Sequence, residues 1–573
     1  MNDSVWILSS PTHEAEALAS GLSLPVELAH ILINRGIRQV EEAHSFLYGS
    51  LQNLHDPYLM DGMKEAVDRI RRAVSSGETI MIFGDFDVDG ILSVVMLTKA
   101  LQILGAKVDY YVPERLKDGY GLKEKHIDIV LEKKATLVIS VDCGIKATEF
   151  ASRAAEKGID FIVTDHHLPG LSRPKAVAIL DPSMKECRYP DRDLAGVGVV
   201  FKLIQALMEA NGRSETLPHY LKLVSIGTIA DVATLRGENR LMVKFGLRGL
   251  ENVTNKGLKS LMNICGLKGK KISVGDVGFR IGPRINAAGR LGMTDSAIQL
   301  FFSDEVENCR SLVQVLDKLN KKRQLIEDKI YREASRFIQE NALDSRYRLL
   351  VLGCERWHRG VIGIVASKLK DYFYRPVILF TYDNGRAIGS GRSIKDFSLI
   401  DCLDANRHCL ESYGGHKLAV GCELPHSGLS ELKASINRYA MTYLPLKDLR
   451  RKVFIDSKIS LSSVSSVFID KLSLLAPFGV GNPKPKFLSQ NVEVAGIPRK
   501  LKGRHSKILV KQGGAVFEAL GWGRPDWADS LQAGERLDLV FSLEKNEYQG
   551  EERTHLVIED LDRSPAAEKI IPG

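Results

Sequence analysis

The sequence lacks the features that mark several classes of protein. None of its eight cysteines forms a Cys-x-x-Cys pair, which argues against a zinc knuckle and is typical of free thiols in a reducing cytoplasm. No stretch reaches the roughly 18 uncharged apolar residues of a membrane span, and the start, MNDSVWILSSPTHEAEAL, has no basic region followed by an apolar one. We therefore expect a cytoplasmic globular protein that does not enter a membrane.

Size and charge limit the organisation and the partners. The chain has 573 residues, too many for one hydrophobic core, so three or four domains are expected. It carries 79 Lys and Arg against 71 Asp and Glu, a net charge of +8. This mild basic excess fits a polyanionic partner but does not require one.

Strand and helix patterns alternate between Glu78 and Pro182. The apolar run TIMIFG precedes the helical GILSVVMLTKALQILG, and ATLVISV precedes IKATEFASRAAEKG, before DFIVT and AVAIL close the series. This alternation predicts an α/β fold with a doubly wound, mostly parallel sheet, whose functional groups lie beyond the carboxyl ends of the strands. Acidic and histidine side chains fall at those positions: Asp85, Asp87 and Asp89 after the first strand, Asp142 after the second, and Asp165, His166 and His167 after the third, with Asp231 ending a later apolar helix.

The stretch DFDVDG has several possible meanings when it is taken alone. An EF-hand loop would need a glutamate at the twelfth position, which is Met96. A haloacid-dehalogenase-like phosphatase would need a later Gly-Asp followed by another acid, and GDVGFR offers an arginine there. For a single aspartate the best interpretation is a helix cap, but five strand-end acids and two adjacent histidines are hard to explain in that way.

A binuclear metal centre accounts for the whole set. Carboxylates packed at one edge of a sheet repel each other unless cations neutralise them, and a set rich in Asp with one or two His suits manganese or magnesium better than zinc. Cys143 lies beside Asp142, but a small buried cysteine is the preferred interpretation. Two such ions can activate water and stabilise an in-line phosphoryl transfer, so phosphoester hydrolysis is the leading reaction class.

The rest of the chain predicts three further parts. The segment from Asp304 to Asn341 has no Gly or Pro and has helical periodicity, so one long connecting helix is expected. A second α/β domain follows from about residue 346 to 450, and the tail from 451 alternates short strands and turns as a small β-barrel would. The expected domains are 1–60 (an N-terminal helical segment), 61–303, 304–345 (the helix), 346–450 and 451–573.

Several motifs together resemble one family. GDFDVDG, SVDCG, TDHH and GTIADV look like the four motifs of the DHH phosphoesterase superfamily, in order and at suitable spacing. With PRINAAGRLG, HRGVIGIVASKL, GSGRSI, YGGHKLAVG and LAPFGVGNPKPKF, the chain resembles the RecJ family of bacterial single-strand-specific exonucleases over nearly its whole length. The resemblance implies a DHH domain, a long helix, a DHH-associated domain and an OB-fold. It also implies removal of nucleotides from single-stranded DNA in the 5′ to 3′ direction, in recombination and repair, with two manganese or magnesium ions.

The resemblance also implies roles for individual residues. The metal ligands would be Asp85, Asp87, Asp142, His166 and Asp231, with His167 orienting or protonating the leaving group. Asp89, which would start the following helix, and Asp165 would support the ligands. The substrate-binding residues would be Arg115, Arg284, Asn286, Arg290, Ser390, Arg392, Gly414, Gly415 and His416. Phe83 stands where some relatives have an additional metal-binding histidine.

The family resemblance and the β-rich tail also suggest partners. The expected barrel carries the basic segment RKLKGRHSK, and Phe517, Trp522 and Trp527 are candidates for stacking on the bases of a single strand. A single-strand-binding protein, a RecQ-type helicase and a monomeric state are further expectations from the family. Two alternatives stay open: a DHH oligoribonuclease or nucleotide phosphatase, which typically lacks the barrel, and an inactive binding module, which would have lost ligands.

Overall fold

The computed structural model describes residues 4–114, 118–119, 121–548, 551–566 and 569–572. Its internal contacts divide the chain into two units, Leu54–Leu449 and a second unit that joins Met1–Asn53 to Arg450–Gly573. The N-terminal elements are β1 Val5–Leu8, α1 His13–Leu22, α2 Val26–Asn34 and α3 Val40–Tyr48. Within the described chain no single helix is long and apolar enough to cross a membrane, and α1 with α2 passes that test only as a pair bent by 114°.

The unit Leu54–Leu449 begins with the predicted doubly wound domain. Its elements are α4 Met63–Ser75, β2 Thr79–Gly84, α5 Val88–Ile103, β3 Lys107–Tyr111, α6 Ile127–Glu132, β4 Leu137–Val141, α7 Thr148–Glu156, β5 Asp160–Thr164, β6 Ala178–Leu180, α8 Gly196–Ala210, α9 Leu217–Ala230, α10 Gly237–Gly249, α11 Lys256–Ile264, α12 Val274–Asp276, α13 Gly282–Arg290 and α14 Thr294–Phe302. A π-helical turn, Val277–Ile281, precedes α13.

The sheet of this domain has five parallel strands in the order β3-β2-β4-β5-β6. Strand β4 is buried along its whole length and β2 along all but its first residue, as expected for a parallel sheet covered by helices on both faces. The strand order reverses between β2 and β4, and a crevice beyond the strand ends at such a point is the usual ligand site of doubly wound folds.

The predicted connecting helix and second α/β domain follow in the same unit. They comprise α15 Val306–Glu340, α16 Leu343–Arg346, β7 Leu350–Gly353, α17 Ile362–Phe373, β8 Val377–Asp383, β9 Arg386–Arg392, α18 Leu399–Ala405, β10 Ser412–His416, β11 Ala419–Pro425 and α19 Leu429–Tyr443. Helix α15 packs Ile330, Ala334 and Ile338 into one core with Trp357 and Val361. The helix is therefore part of the second domain's core, and the sheet order there is β10-β11-β9-β8-β7.

The second unit contains the predicted barrel. Its C-terminal elements are β12 Lys452–Ile455, β13 Ser457–Lys458, α20 Ser466–Ser473, β14 Phe487–Val494, β15 Arg499–Leu501, β16 His505–Gln512, β17 Ala515–Gly521, α21 Asp526–Ser530, β18 Arg536–Tyr548, β19 Glu551–Arg563 and β20 Ile570–Pro572. The strands β14-β18-β19-β17-β16 form a five-stranded barrel, closed by pairing between β14 and β16.

The N-terminal segment is organised differently from the expectation. It was predicted as a separate helical part, 1–60, but it also contains a strand: β1 lies between β12 and β20 in a parallel three-stranded sheet. The apolar faces of α1–α3 share one core with the barrel, in which Leu28, Ile31 and Leu32 are fully buried. Amphipathic helices need an apolar surface to cover, and here the barrel provides it.

Candidate metal centre

The predicted acids and histidines meet at the switch point of the parallel sheet. Three sets of these predicted side chains have ligand atoms within 4.8 Å of one another: Asp85, Asp87 and Asp142; Asp142, His166 and His167; and Asp89, His166 and Asp231. Asp142 belongs to two of these sets, and so does His166. The structure thus brings together all the residues for which metal binding was predicted.

The turn after β2 differs in one detail from the sequence-based expectation. Asp87, and not Asp89, is the N-cap of α5: its Oδ1 accepts hydrogen bonds from the backbone N–H of Asp89 at 2.9 Å and of Gly90 at 3.1 Å. The backbone N–H of Val88 donates to Asn286 Oδ1 at 3.2 Å. Asn286, predicted to bind substrate, therefore holds the turn that carries Asp85 and Asp87.

Asp89 connects this turn to another helix. Its two carboxylate oxygens accept the backbone N–H groups of Gly196, at 2.8 Å, and Val197, at 2.7 Å, in the first turn of α8. Gly196 also lies against Asp142, since a Cβ atom there would be 2.7 Å from Asp142 Oδ1. Asp142 itself has a φ of +58°, in the left-handed region that aspartate tolerates better than most residues and that is enriched at functional sites.

The carboxylates crowd one another in a largely buried site. Burial and then the charges of Asp89, Asp87 and Asp85 raise the pKa of Asp142 well above its usual value. Burial, Asp89 and Asp87 do the same to the pKa of Asp231, and burial with Asp87 raises the pKa of Asp89 to about 7. These oxygens would be ionised together only beside positive charge, so the donor set fits divalent cations.

The two histidines differ in charge. Burial and the neighbouring charge of His167 lower the pKa of His166 to about 4, so this ring is neutral and keeps a lone pair for a metal. Burial opposes protonation of His167, but the hydrogen bond from its Nδ1 to Asp165 Oδ1, 2.7 Å long, and the charge of Asp165 raise its pKa to about 9. Asp165 also accepts the backbone N–H of Ile145 at 2.9 Å. His166 Nε2 is 3.1 Å from Asp142 Oδ1.

One acid of the site was missed by the sequence analysis. Asp181 follows β6, is fully buried, and has an Oδ2 without a hydrogen-bond partner in the described structure. Burial raises its pKa to about 7, and the nearby charges of Asp165 and His167 also act on it. The signal was available, because AVAIL was recognised as a strand and Asp181 is the acid at its end.

Two residues noted beside the acids are part of the core. Cys143 is fully buried in an apolar cluster, and burial raises the pKa of its thiol well above the usual value. Phe83 belongs to the same cluster, with its ring centre 5.4 Å from that of Tyr111 and 5.1 Å from that of His126.

A second missed feature lies beside Asp231. Val232 has a φ of +63° and is 65% exposed, and Phe279, in the π-helical turn, is 85% exposed. A π-helical turn is often found at functional sites. The sequence does not indicate that Val232 and Phe279 are exposed: GDVGFR, which contains Phe279, was compared only with a phosphatase motif.

Ser390 and Arg392 lie beside the N-terminus of α17. A Cβ atom on Gly363, in the first turn of that helix, would be 2.9 Å from Ser390 Oγ and 3.2 Å from Arg392 Nη2. Arg392 Nη1 donates to the carbonyl of Gly391 at 2.7 Å and to Ser390 Oγ at 3.3 Å. A helix N-terminus with an arginine and a hydroxyl beside it is suited to a phosphate. The contribution of α17 had not been predicted.

The glycines and histidine of YGGH lie on the exposed edge strand β10: Gly414, Gly415 and His416. Gly415 has a φ of +137°, and a Cβ there would be 2.2 Å from the carbonyl of Ala419, so no larger residue fits. His416 Nδ1 accepts the backbone N–H of Leu418 at 3.3 Å.

The predicted arginines have different surroundings. Arg284 forms an ion pair with Asp317, with Nη2 2.9 Å from Oδ1, and donates to the carbonyl of Arg280 at 2.7 Å. Its guanidinium is thus engaged within the protein. Arg290 Nη1 donates to the carbonyl of Gly360 at 3.0 Å and links α13 to the loop before α17. Arg115 lies outside the described residues.

The three aromatic candidates of the barrel are not equivalent. Trp527 is buried in the core of the barrel, which removes it from the candidates for stacking on bases. Phe517 is partly buried against the same core. Trp522 is 52% exposed and lies edge-on to His505, with ring centres 4.8 Å apart. An aromatic residue in a strand can face either the core or the solvent, and the tertiary packing determines which of the two it faces.

Comparison with known proteins agrees with this arrangement. Family models match residues 79–228 (DHH family, N-terminal domain), 346–442 (DHHA1 domain) and 455–560 (RecJ OB domain). The chain is 36% identical to the single-stranded-DNA-specific exonuclease RecJ of Bacillus subtilis, over 97% of this chain and 70% of that protein. It is 32% identical to the Dickeya dadantii protein of the same description, over 98% of this chain and 100% of that protein.

A solved structure has a similar fold. The crystal structure of RecJ from Thermus thermophilus in complex with Mn2+ matches with a TM-score of 0.84 and 30% identity, covering 99% of this chain and 81% of that one. The extent of these matches, together with the acids and histidines at the sheet's switch point, shows that the chain belongs to the RecJ family of exonucleases.

Proposed function

We propose that this protein is a metal-dependent exonuclease that hydrolyses phosphodiester bonds of single-stranded DNA from the 5′ end, in recombination and repair. The observation that carries the proposal is the pair of ligand sets joined by Asp142, one with Asp85 and Asp87 and one with His166. Relatives described as single-stranded-DNA-specific exonucleases support the substrate. The 5′ to 3′ direction follows from the family.

The ligands of two Mn2+ or Mg2+ ions would be Asp85, Asp87, Asp142, His166 and Asp231. When bound, such ions supply Lewis acidity: they lower the pKa of a water and neutralise charge on the phosphoryl group. Asp142 belongs to two of the ligand sets, which supports its assignment as a ligand of both ions.

Other side chains would position these ligands and move a proton. Asp165 holds His167 through Nδ1, and against the effect of burial this hydrogen bond and the charge of Asp165 raise the pKa of the ring. His167 is therefore suited to donate a proton to the leaving oxygen. Asp89 keeps the turn after β2 attached to α8, which positions the ligands on both strands.

The terminal phosphate would bind at Ser390, Arg392 and the N-terminus of α17, with the backbone of Gly414 and Gly415 close to the strand. Helix α15 contributes to the core of the second domain, and Arg290 bonds to the loop before α17, so the two domains of Leu54–Leu449 are firmly connected. We expect the passage between them to accept a threaded single strand and to exclude duplex, whose major groove alone is about 12 Å wide.

The family also suggests a cellular setting for this activity. We infer that the protein works in the cytoplasm as a monomer, beside a single-strand-binding protein and a RecQ-type helicase that supply it with single strands. The basic segment around β15 and β16 and the exposed Trp522 support binding of the strand by the barrel.

The decisive experiment uses single-stranded DNA labelled separately at each end. With Mn2+, label at the 5′ end should be released as mononucleotide from the first cuts, whereas label at the 3′ end should stay on long products until late. Omitting metal, or replacing Asp142 by Ala, should abolish both signals. Early release of the 3′ label, or efficient digestion of blunt duplex, would contradict the proposal.

A further inference from the structure

A second cluster of metal-binding side chains lies in the second α/β domain and consists of His408, Cys409 and Glu431. One ligand atom of each, an imidazole nitrogen, the thiol sulfur and a carboxylate oxygen, lies within 4.8 Å of the other two. The cluster shares no residue with the metal centre of the parallel sheet. The motifs found in the sequence include none of the three residues.

The cluster joins two neighbouring elements of the chain. His408 and Cys409 lie in a 3₁₀ turn, Arg407–Cys409, between α18 and β10, and Glu431 lies in the first turn of α19. A carboxylate is common at the start of a helix, where the helix dipole favours it, but this preference does not account for a thiol and an imidazole within its reach. His408 and Glu431 are exposed and Cys409 is half-buried, so the cluster is accessible to an ion in solvent.

A buried asparagine holds the turn against α19. Asn406 is only 3% exposed; its Nδ2 donates to the carbonyl of Cys402 in α18 at 2.7 Å, and its Oδ1 accepts the hydroxyl of Ser435. The backbone N–H of Cys409 donates to the carbonyl of Asn406 at 3.0 Å. Ser435 is four residues after Glu431 and therefore lies on the same face of α19. These bonds fix the turn relative to the start of α19, so the three ligands are in place before an ion binds.

The three side chains have few other partners. In the part of the chain that the structure describes, His408 and Glu431 make no side-chain hydrogen bond or ion pair. Burial, and then the charge of Glu431, raise the pKa of the Cys409 thiol. A cation among the three would offset the charge of the carboxylate and favour the thiolate, which is the form that binds metals.

The donor set selects among metals. Mg2+ and Mn2+ prefer oxygen ligands, whereas thiolate and imidazole together are typical of zinc sites. Zn2+ also accepts a carboxylate, undergoes no redox change and has no geometric preference from its d-electrons. Three protein ligands leave one tetrahedral position for water.

We propose that His408, Cys409 and Glu431 bind one Zn2+ ion, with water as the fourth ligand. The ion would connect the turn before β10 to the start of α19. Because β10 begins at Ser412, soon after Cys409, the ion would stabilise the beginning of this exposed edge strand.

The test uses Co2+ as a spectroscopic probe on the reduced full chain, with Mn2+ present throughout. A bond between Co2+ and a thiolate gives an absorption band in the near ultraviolet that carboxylate and imidazole ligands do not give. The band should reach the amplitude of one thiolate per chain, and Zn2+ should remove it, because Zn2+ binds such sites more tightly than Co2+.

Variants assign the band to the cluster. Cys409→Ser should abolish it, and Cys354→Ser, at a cysteine of similar exposure, is the matched control that should keep it. His408→Ala and Glu431→Gln should each weaken Co2+ binding about tenfold or more, since loss of even an outer partner of a ligand costs about 10- to 100-fold.

A second measurement needs no variant. In the wild type, saturating Zn2+ should protect Cys409 from alkylation by iodoacetamide, because a metal-bound thiolate is not free to react. Cys354 should react equally with and without Zn2+, and peptide mass spectrometry follows both cysteines. Neither readout involves hydrolysis, so both are independent of the proposed exonuclease activity.

Several results would overturn the proposal. They are no thiolate band in the wild type, a band that survives in Cys409→Ser, and equal alkylation of Cys409 with and without Zn2+. A Co2+ affinity that neither His408→Ala nor Glu431→Gln changes would mean that the thiol binds the ion without these partners, and would equally overturn it. Thermal melts establish that the variants are folded, and the alkylation of the wild type stands without them.

Discussion

Gly90 lies in the first turn of α5, where a methyl group would displace the backbone of Asp85. A Cβ atom built on Gly90 would be 2.5 Å from the carbonyl oxygen of Asp85, 2.6 Å from its nitrogen and 2.7 Å from its carbonyl carbon. All three are backbone atoms, so no rotation of a side chain relieves the contact. Reaching the 3.4 Å at which ordinary contact begins requires a shift of about 0.9 Å.

Such a shift of the backbone of Asp85 moves its side chain, a proposed metal ligand, by nearly the same distance. A misplacement of about 1 Å in a catalytic arrangement can reduce the rate about 100-fold. We therefore expect Gly90→Ala to lower kcat/KM on 5′-labelled single strands about 100-fold, with weaker Mn2+ binding in a calorimetric titration. The free energy of unfolding should also fall, because α5 and β2 are both buried.

Gly198→Ala is the matched control within the same domain. Gly198 lies in the helix α8, and its nearest neighbours would be side-chain atoms of Leu194 and Met242 at 3.4 Å. Alanine there should be accommodated and should favour the helix by up to about 1 kcal/mol. If Gly90→Ala kept kcat/KM within about threefold of the wild type, or if both variants lost activity equally, the argument from the turn would be refuted.

Further predictions concern Asp142, the proposed phosphate site, the barrel and the division of the chain. Asp142→Ala should lose nearly all hydrolysis but keep the fold; turnover within about tenfold of the wild type would contradict its role. Arg392→Ala should lose more activity on 5′-phosphorylated than on 5′-hydroxyl strands, and equal losses would exclude a phosphate contact. Trp522→Ala should weaken binding of long single strands by about 1 to 3 kcal/mol at one salt concentration, whereas Trp522→Phe keeps a ring and most of the affinity. A chain of residues 54–449 should cleave short single strands but bind long ones weakly, and an affinity equal to that of the full-length chain would leave the barrel without a role in binding. Removing only residues 451–573 should instead cause aggregation, because it exposes the apolar faces of α1–α3.

The parallel sheet and the meeting of its acids could be predicted because both have local signals. Apolar strands alternating with helices define the doubly wound sheet, and the carboxyl ends of its strands necessarily lie at one edge. Asp85, Asp142 and His166 therefore had to come close together, whatever the details of packing. Asp181 satisfied the same rule and could have been included.

Other features depended on contacts that a local pattern does not contain. The strand β1 pairs with β12 and β20, elements more than 400 residues away along the chain, and four residues carry little signal of their own. The side that Trp527 faces, and the ion pair that engages Arg284, likewise depend on tertiary packing. The assignment of domain 1–60 as separate differs from the structure for the same reason.

The three alternate aspartates of DFDVDG have three different surroundings, which explains why they are crowded together. Asp85 ends the strand, and Asp87 caps the helix through Oδ1 while contributing to the first ligand set. Asp89, the second residue of α5, accepts the backbone N–H groups at the N-terminus of α8 with both carboxylate oxygens. Gly196 of α8 also contacts Asp142, which follows β4. The N-terminus of α8 therefore contacts both the turn after β2 and the turn after β4. Spacing of two residues thus places a proposed metal ligand, a helix cap and a connection between the two strand ends within one turn, and changing any one of the three should disturb the other two.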